Sequence, residues 1–240
     1  MAYQEGLPPT GWTRTLLLFG VAGGLLYLVT HALIPTLFSR TGWQPILLWF
    51  LLGGLGIFLP LILFGIGLVR REPLSEGRRS WAHRLRFRRM SGADWRWTLG
   101  GLVLVATLSA AVQGALTIGL GEVNLHPPFM QFEPLGPGRY WILAAWLPFW
   151  LLNILGEEFL WRGVLLPRQE IALGQHAWLA NAVGWSLFHL AFGWQLLMLL
   201  SPILFILPYV AQRTQNTWPA VIMHAGLNGP GFVAVAFGYV

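Results

Sequence analysis

Three short stretches in the C-terminal half set ionisable or amide side chains inside apolar sequence. They are Gly156-Glu157-Glu158-Phe159-Leu160-Trp161-Arg162, Trp185-Ser186-Leu187-Phe188-His189 and His224-Ala225-Gly226-Leu227-Asn228. On a helix Glu158 and Arg162 stand four apart and can form an ion pair, whereas Glu157 is turned about 100° from Glu158. Two adjacent carboxylates beside one cation are neutralised unequally, so Glu157 is the candidate general base. Trp185 and His189 share a helical face, as do His224 and Asn228. Each stretch also has a plainer reading: a solvated helix end, a hydrogen-bonded packing histidine, a structural His–Asn pair. Together, on separate helices that converge, they supply what hydrolysis needs. A carboxylate and an imidazole activate water; an imidazole and an amide N–H hold an oxyanion.

The elements that position these residues must be membrane helices. The chain has 240 residues, 55% hydrophobic and only 10% charged, with 14 Trp, 15 Phe and 29 Gly. Its mean hydropathy is +0.60, and ordinary soluble domains carry roughly a quarter charged residues. The expected fold is all-α, a polytopic bundle of seven transmembrane helices, with six or eight as alternatives. Spans are expected near 15–38, 46–69, 97–120, 140–155, 178–192, 194–211 and 217–237. Gly pairs at 23–24, 53–54 and 100–101 read as close helix–helix approaches. Trp12, Trp43, Trp81, Trp95, Trp97 and Trp141 fall near span ends, as an interfacial belt does.

The ionisable inventory excludes whole reaction classes. All 15 cations are Arg, eight of the nine acids are Glu, Asp94 is the sole Asp, and Cys is absent. Thiol catalysis, thiolate metal sites, a Lys Schiff base and a diaspartyl pair are therefore ruled out. A site-2 zinc protease fails for want of His-Glu-x-x-His. Gly184-Trp185-Ser186-Leu187 with His224 only partly echoes a rhomboid-type serine protease. Nine Arg cluster at 70–96 between two apolar runs. They mark a cytoplasmic loop attracted to anionic headgroups, not a nucleic-acid site, and they put the N-terminus in the cytoplasm. The loop at 121–138, with Glu122 and Glu133, then faces outward. Arg-only basic usage and the lack of Cys hint at a prokaryotic plasma membrane. Residues 1–138 form N-terminal spans and 139–240 the chemistry-bearing core of one integrated membrane domain.

At the three motifs the sequence resembles the CPBP intramembrane proteases, the relatives of the CAAX prenyl endopeptidase also called Abi proteins. Glu157-Glu158-x-x-x-Arg162, the aromatic-x-x-x-His of Trp185–His189 and His224-x-x-x-Asn228 fit in order and spacing, over roughly 139–237. Trp185 departs from the Phe usual in the family's second motif. The resemblance implies Glu157 as catalytic carboxylate, activating water with His189, and His224 and Asn228 as oxyanion holders. Glu158 and Arg162 would be the supporting pair. It implies a membrane-anchored peptide or protein substrate. The family has been called both metalloprotease and glutamate protease; the metal-free form is preferred here, with zinc on Glu157, His189 and His224 as the alternative. The competing class is a non-catalytic membrane protein, a transporter or a peptide-binding immunity or scaffold protein, whose buried Glu and His are relay or partner contacts.

Overall fold

The computed structural model describes residues 6–72, 81–121, 123, 127–130 and 133–239. Arg78 and Arg79 of the Arg-rich segment and Glu122 of the 121–138 loop lie outside the described residues. Among the described residues the fold is helical throughout, without strands. In chain order the α-helices are α1 (Trp12–Leu28), α2 (Ile34–Thr41), α3 (Pro45–Gly53), α4 (Leu59–Arg70), α5 (Trp81–Arg84) and α6 (Gly92–Leu120). They continue with α7 (Trp141–Glu158), α8 (Leu166–Leu173), α9 (Ala177–Phe188), α10 (Trp194–Thr214) and α11 (Trp218–Ala236).

Six continuous helical stretches among the described residues are long and apolar enough to cross a membrane, the fourth being Trp141–Phe192 with 52 residues. That fourth stretch is far longer than one span, since about 20 residues cross the hydrocarbon. It doubles back at Gly174, whose φ of +56° is a conformation L side chains rarely adopt. The returning leg is tied to the outgoing one by Asn181, which donates to the Trp161 carbonyl and to Gln169 Oε1, both at 2.9 Å. The six stretches thus give seven helical legs, within the expected six to eight, in an integral multi-pass membrane protein. The six expected interfacial tryptophans are all exposed.

Three π-helical segments interrupt these helices: Val29–Leu33, Gly54–Phe58 and Phe159–Leu165. Each is followed by a proline, Pro35, Pro60 or Pro167, in the first turn of the next α-helix. A proline offers no N–H to the carbonyl four residues back and crowds it. Those carbonyls belong to His31, Gly56 and Gly163, all within the widened turns, where the wider helix relieves the crowding. At Pro202 the remedy differs. The carbonyl four residues back, Met198, accepts instead from the Ser201 hydroxyl at 2.7 Å.

Packing uses the glycines selectively. A Cβ on Gly23 would stand 3.0 Å from the Leu187 carbonyl oxygen, and one on Gly156 2.8 Å from that of Phe58. These pin α1 against α9 and α7 against the second π segment. Gly101 meets Met223, but Gly24 and Gly100 face open space. The close-approach reading therefore holds for one member of the first and third pairs.

The Arg-rich segment is less free than its composition implies. Arg84 and Arg168 both bond the Glu72 carboxylate. Arg86 forms a two-pronged pair with Glu170, and Arg88 another with Asp94. Glu72 and Arg84 are buried, and buried acids demand paired cations. Arg84 and Arg86 thus turn inward to acids of the bundle, while Arg88 pairs with buried Asp94 from a position that is itself exposed.

Candidate active site

Glu157, Glu158 and Arg162 are 1%, 0% and 1% exposed, so the solvated-helix-end reading fails. Glu157 and Glu158 close α7, held there by the approach of Gly156 to Phe58, and Arg162 follows in the π segment. The expected Glu158–Arg162 pair forms, with Arg162 Nη1 donating to Glu158 Oε1 at 3.1 Å. The same Oε1 lies 2.8 Å from His224 Nδ1 on α11. A carboxylate only accepts, so Nδ1 carries the proton and Nε2 is left for other work.

Glu157 is held differently. Asn153, one turn earlier, donates from Nδ2 to its Oε1 at 3.2 Å, and the indole N–H of Trp185 donates to its Oε2. His189 stands where α9 gives way to a 3₁₀ turn, with Nδ1 2.9 Å from the Trp185 carbonyl. A carbonyl also only accepts, which fixes the neutral ring as the Nδ1–H tautomer with Nε2 basic. Trp185 is the hub. His189 and His224 lie edge-on to its ring at 5.2 and 5.4 Å, and the Arg162 guanidinium covers it at 3.7 Å.

Glu157, His189, His224 and Asn228 line one cavity of about 480 Å³, with Asn153 and Trp185. Asn228 is exposed to that space, and its amide makes no protein hydrogen bond among the described residues. Much of the remaining wall is apolar, including Trp49, Phe50, Trp146 and Phe149. The expected residues from three separate helices therefore face a common, largely hydrophobic chamber. Sequence reasoning missed Asn153. Its signal was available: a lone amide four residues before Glu157 in an apolar run, hence on the same face. Glu158 as the partner of His224 was also missed, since a contact between helices leaves no mark in local spacing. Ser186 donates to the Ala182 carbonyl at 2.9 Å, as a packing serine does.

The zinc alternative would draw on Glu157 and on the Nε2 atoms of His189 and His224. Both oxygens of Glu157 already accept hydrogen bonds, and the two Nδ1 atoms face Glu158 and a carbonyl. Among the described residues no three His, Cys, Asp or Glu side chains are grouped to hold a metal ion.

Comparison with curated proteins and with solved structures gives no match. A family model does match: Rce1-like, type II CAAX prenyl endopeptidase, over residues 139–229. That stretch holds all three motifs and the polar side chains described around Glu157. The resemblance read from the motifs is thus borne out as a similarity: residues 139–229 match the Rce1-like family model.

Proposed function

We propose that this chain is a metal-free intramembrane endopeptidase that cuts a membrane-anchored peptide or protein, with Glu157 as the catalytic carboxylate. One observation carries the reading: a buried carboxylate, oriented by two donors, faces a cavity shared with two imidazoles and an amide. In the proposed reaction Glu157, with His189 Nε2, takes a proton from a water as its oxygen adds to the substrate carbonyl carbon. The carbonyl oxygen becomes an oxyanion held by His224 and the Asn228 amide N–H. In its protonated form His224 keeps one N–H on Glu158 and offers the other to the oxyanion. The proton held at Glu157 or His189 passes to the amide nitrogen as the C–N bond breaks. The products are a carboxylic acid and an amine. Donors aimed where charge develops act strongly in a water-poor chamber. Residues 139–240 supply this chemistry and the N-terminal spans wall it. The placement proposed is a prokaryotic plasma membrane, with the N-terminus and the Arg-rich segment cytoplasmic.

The test uses purified protein in liposomes and a panel of tagged membrane-anchored peptides, with products identified by mass. Cleavage by wild type and its loss in Glu157→Gln and in His189→Ala is the expected result. Cleavage that survives both substitutions overturns the proposal in favour of a non-catalytic role. Activity should also persist after exhaustive chelation; a loss restored by zinc overturns the metal-free form.

A further inference from the structure

A second cavity, of about 460 Å³, lies between α6 and α10, near the ends adjoining the Arg-rich segment. Gly100, Leu104, Phe205 and Ile206 wall it. No atom from beyond its own stretch of helix stands within 4 Å of where a Gly100 Cβ would be, so that position leaves the slot open. Rings frame its mouth. Tyr209 has Trp97 at 6.0 Å and Trp178 at 5.4 Å, both edge-on. From Arg96 to Leu104 the slot runs about 12 Å along α6, from the interfacial rings into the apolar part of the span.

Two cations stand at the mouth. Arg96 belongs to the lining, and the Arg213 guanidinium sits 5.8 Å from the Trp97 ring. Both are exposed, and neither has an acidic partner among the described residues. Asp94, the nearest acid in sequence, is taken by Arg88. The slot is therefore apolar along its length and positive at its mouth, with aromatic rings where a headgroup region meets hydrocarbon.

We propose that this cleft is a binding site for one anionic phospholipid, its phosphate between Arg96 and Arg213 and one acyl chain in the slot beside Gly100. Guanidinium forks match phosphate oxygens in pairs. Basic residues near a bilayer surface attract anionic lipid. The inference is independent of proteolysis, since the slot and the cavity around Glu157 share no lining residue.

Native mass spectrometry of the full-length protein, exchanged against vesicles of phosphatidylglycerol or phosphatidylcholine, tests it. Wild type should retain one phosphatidylglycerol and prefer it over phosphatidylcholine by roughly tenfold or more. The Arg96→Gln/Arg213→Gln pair, both at exposed positions, should lose that preference. Gly100→Leu should retain neither lipid, with its melting temperature checked in the same detergent. Equal retention of both lipids by wild type overturns the proposal. So does an undiminished preference in the double variant, or wild-type retention by folded Gly100→Leu.

Discussion

The indole N–H of Trp185 donates to Oε2 of Glu157, joining α9 to the end of α7 through the proposed catalytic carboxylate. With Asn153 on Oε1 the carboxylate is gripped at both oxygens. A Phe, the residue usual at this motif position, keeps a ring for Arg162 and the two histidines but leaves Oε2 without its donor. A hydrogen bond to a charged group is worth about 1.5–3 kcal/mol. Trp185→Phe should lower kcat by roughly tenfold to a hundredfold, with little change in KM or melting temperature. A kcat equal to wild type shows that the indole does not position Glu157.

Glu158 Oε1 accepts from both Arg162 and His224 in a buried cluster. Arg162→Met strands the Glu158 carboxylate beneath the cavity and should destabilise the protein by about 3–5 kcal/mol. The pair Glu158→Leu/Arg162→Met should regain much of that loss, because no charge is left uncompensated. Cleavage should stay absent in the pair, since His224 has lost the acceptor on Nδ1. Thermal melts and peptide assays on the same preparations separate the two effects. Recovery of both stability and cleavage makes the trio purely structural.

Gly156 precedes the two glutamates at a contact with no slack. An added Cβ meets the Phe58 carbonyl oxygen at 2.8 Å, and backbone cannot swing aside as a side chain tip does. Gly156→Ala should cost about 1–3 kcal/mol and, by shifting the end of α7, most of the activity. Gly24→Ala, which meets nothing within 4 Å, is the control and should be neutral in both assays.

Glu72 compensates both Arg84 and Arg168, joining the end of α4 to α5 and α8. Glu72→Gln leaves two buried cations sharing a neutral amide. It should lower stability by at least about 3 kcal/mol, with a melting temperature insensitive to salt. A change no larger than that of an exposed ion pair, about 0–1 kcal/mol, contradicts the burial of this cluster.

Membrane class, helix number and the convergence on Glu157, His189, His224 and Asn228 were legible in the sequence for one reason. Charges are so sparse in this chain that each one inside an apolar run asks for an explanation. Local pairs were legible too, because i,i+4 spacing implies contact within a helix, as for Glu158 and Arg162. Contacts between helices were not. Nothing in spacing couples His224 to Glu158, or Arg168 to Glu72 across 96 residues. The Arg cluster was read correctly as basic but not as partly consumed, since which Arg meets an acid depends on how α5 folds back.

The π segment at Phe159–Leu165 has a consequence for rotational phase. Widening the turn there delays the helix by roughly one residue's rotation, about 100° in α-helical terms. Side chains after it therefore face a different compass direction from those an uninterrupted helix would present. Arg168 and Gln169, which follow that delay, reach Glu72 and Thr15. Removing a single residue from 159–165 would leave Glu157 at its place and turn both anchors towards the wrong neighbours. The reactive end of α7 and the anchoring helix α8 are thus set at a fixed angle by backbone geometry that no side-chain substitution in α8 can imitate.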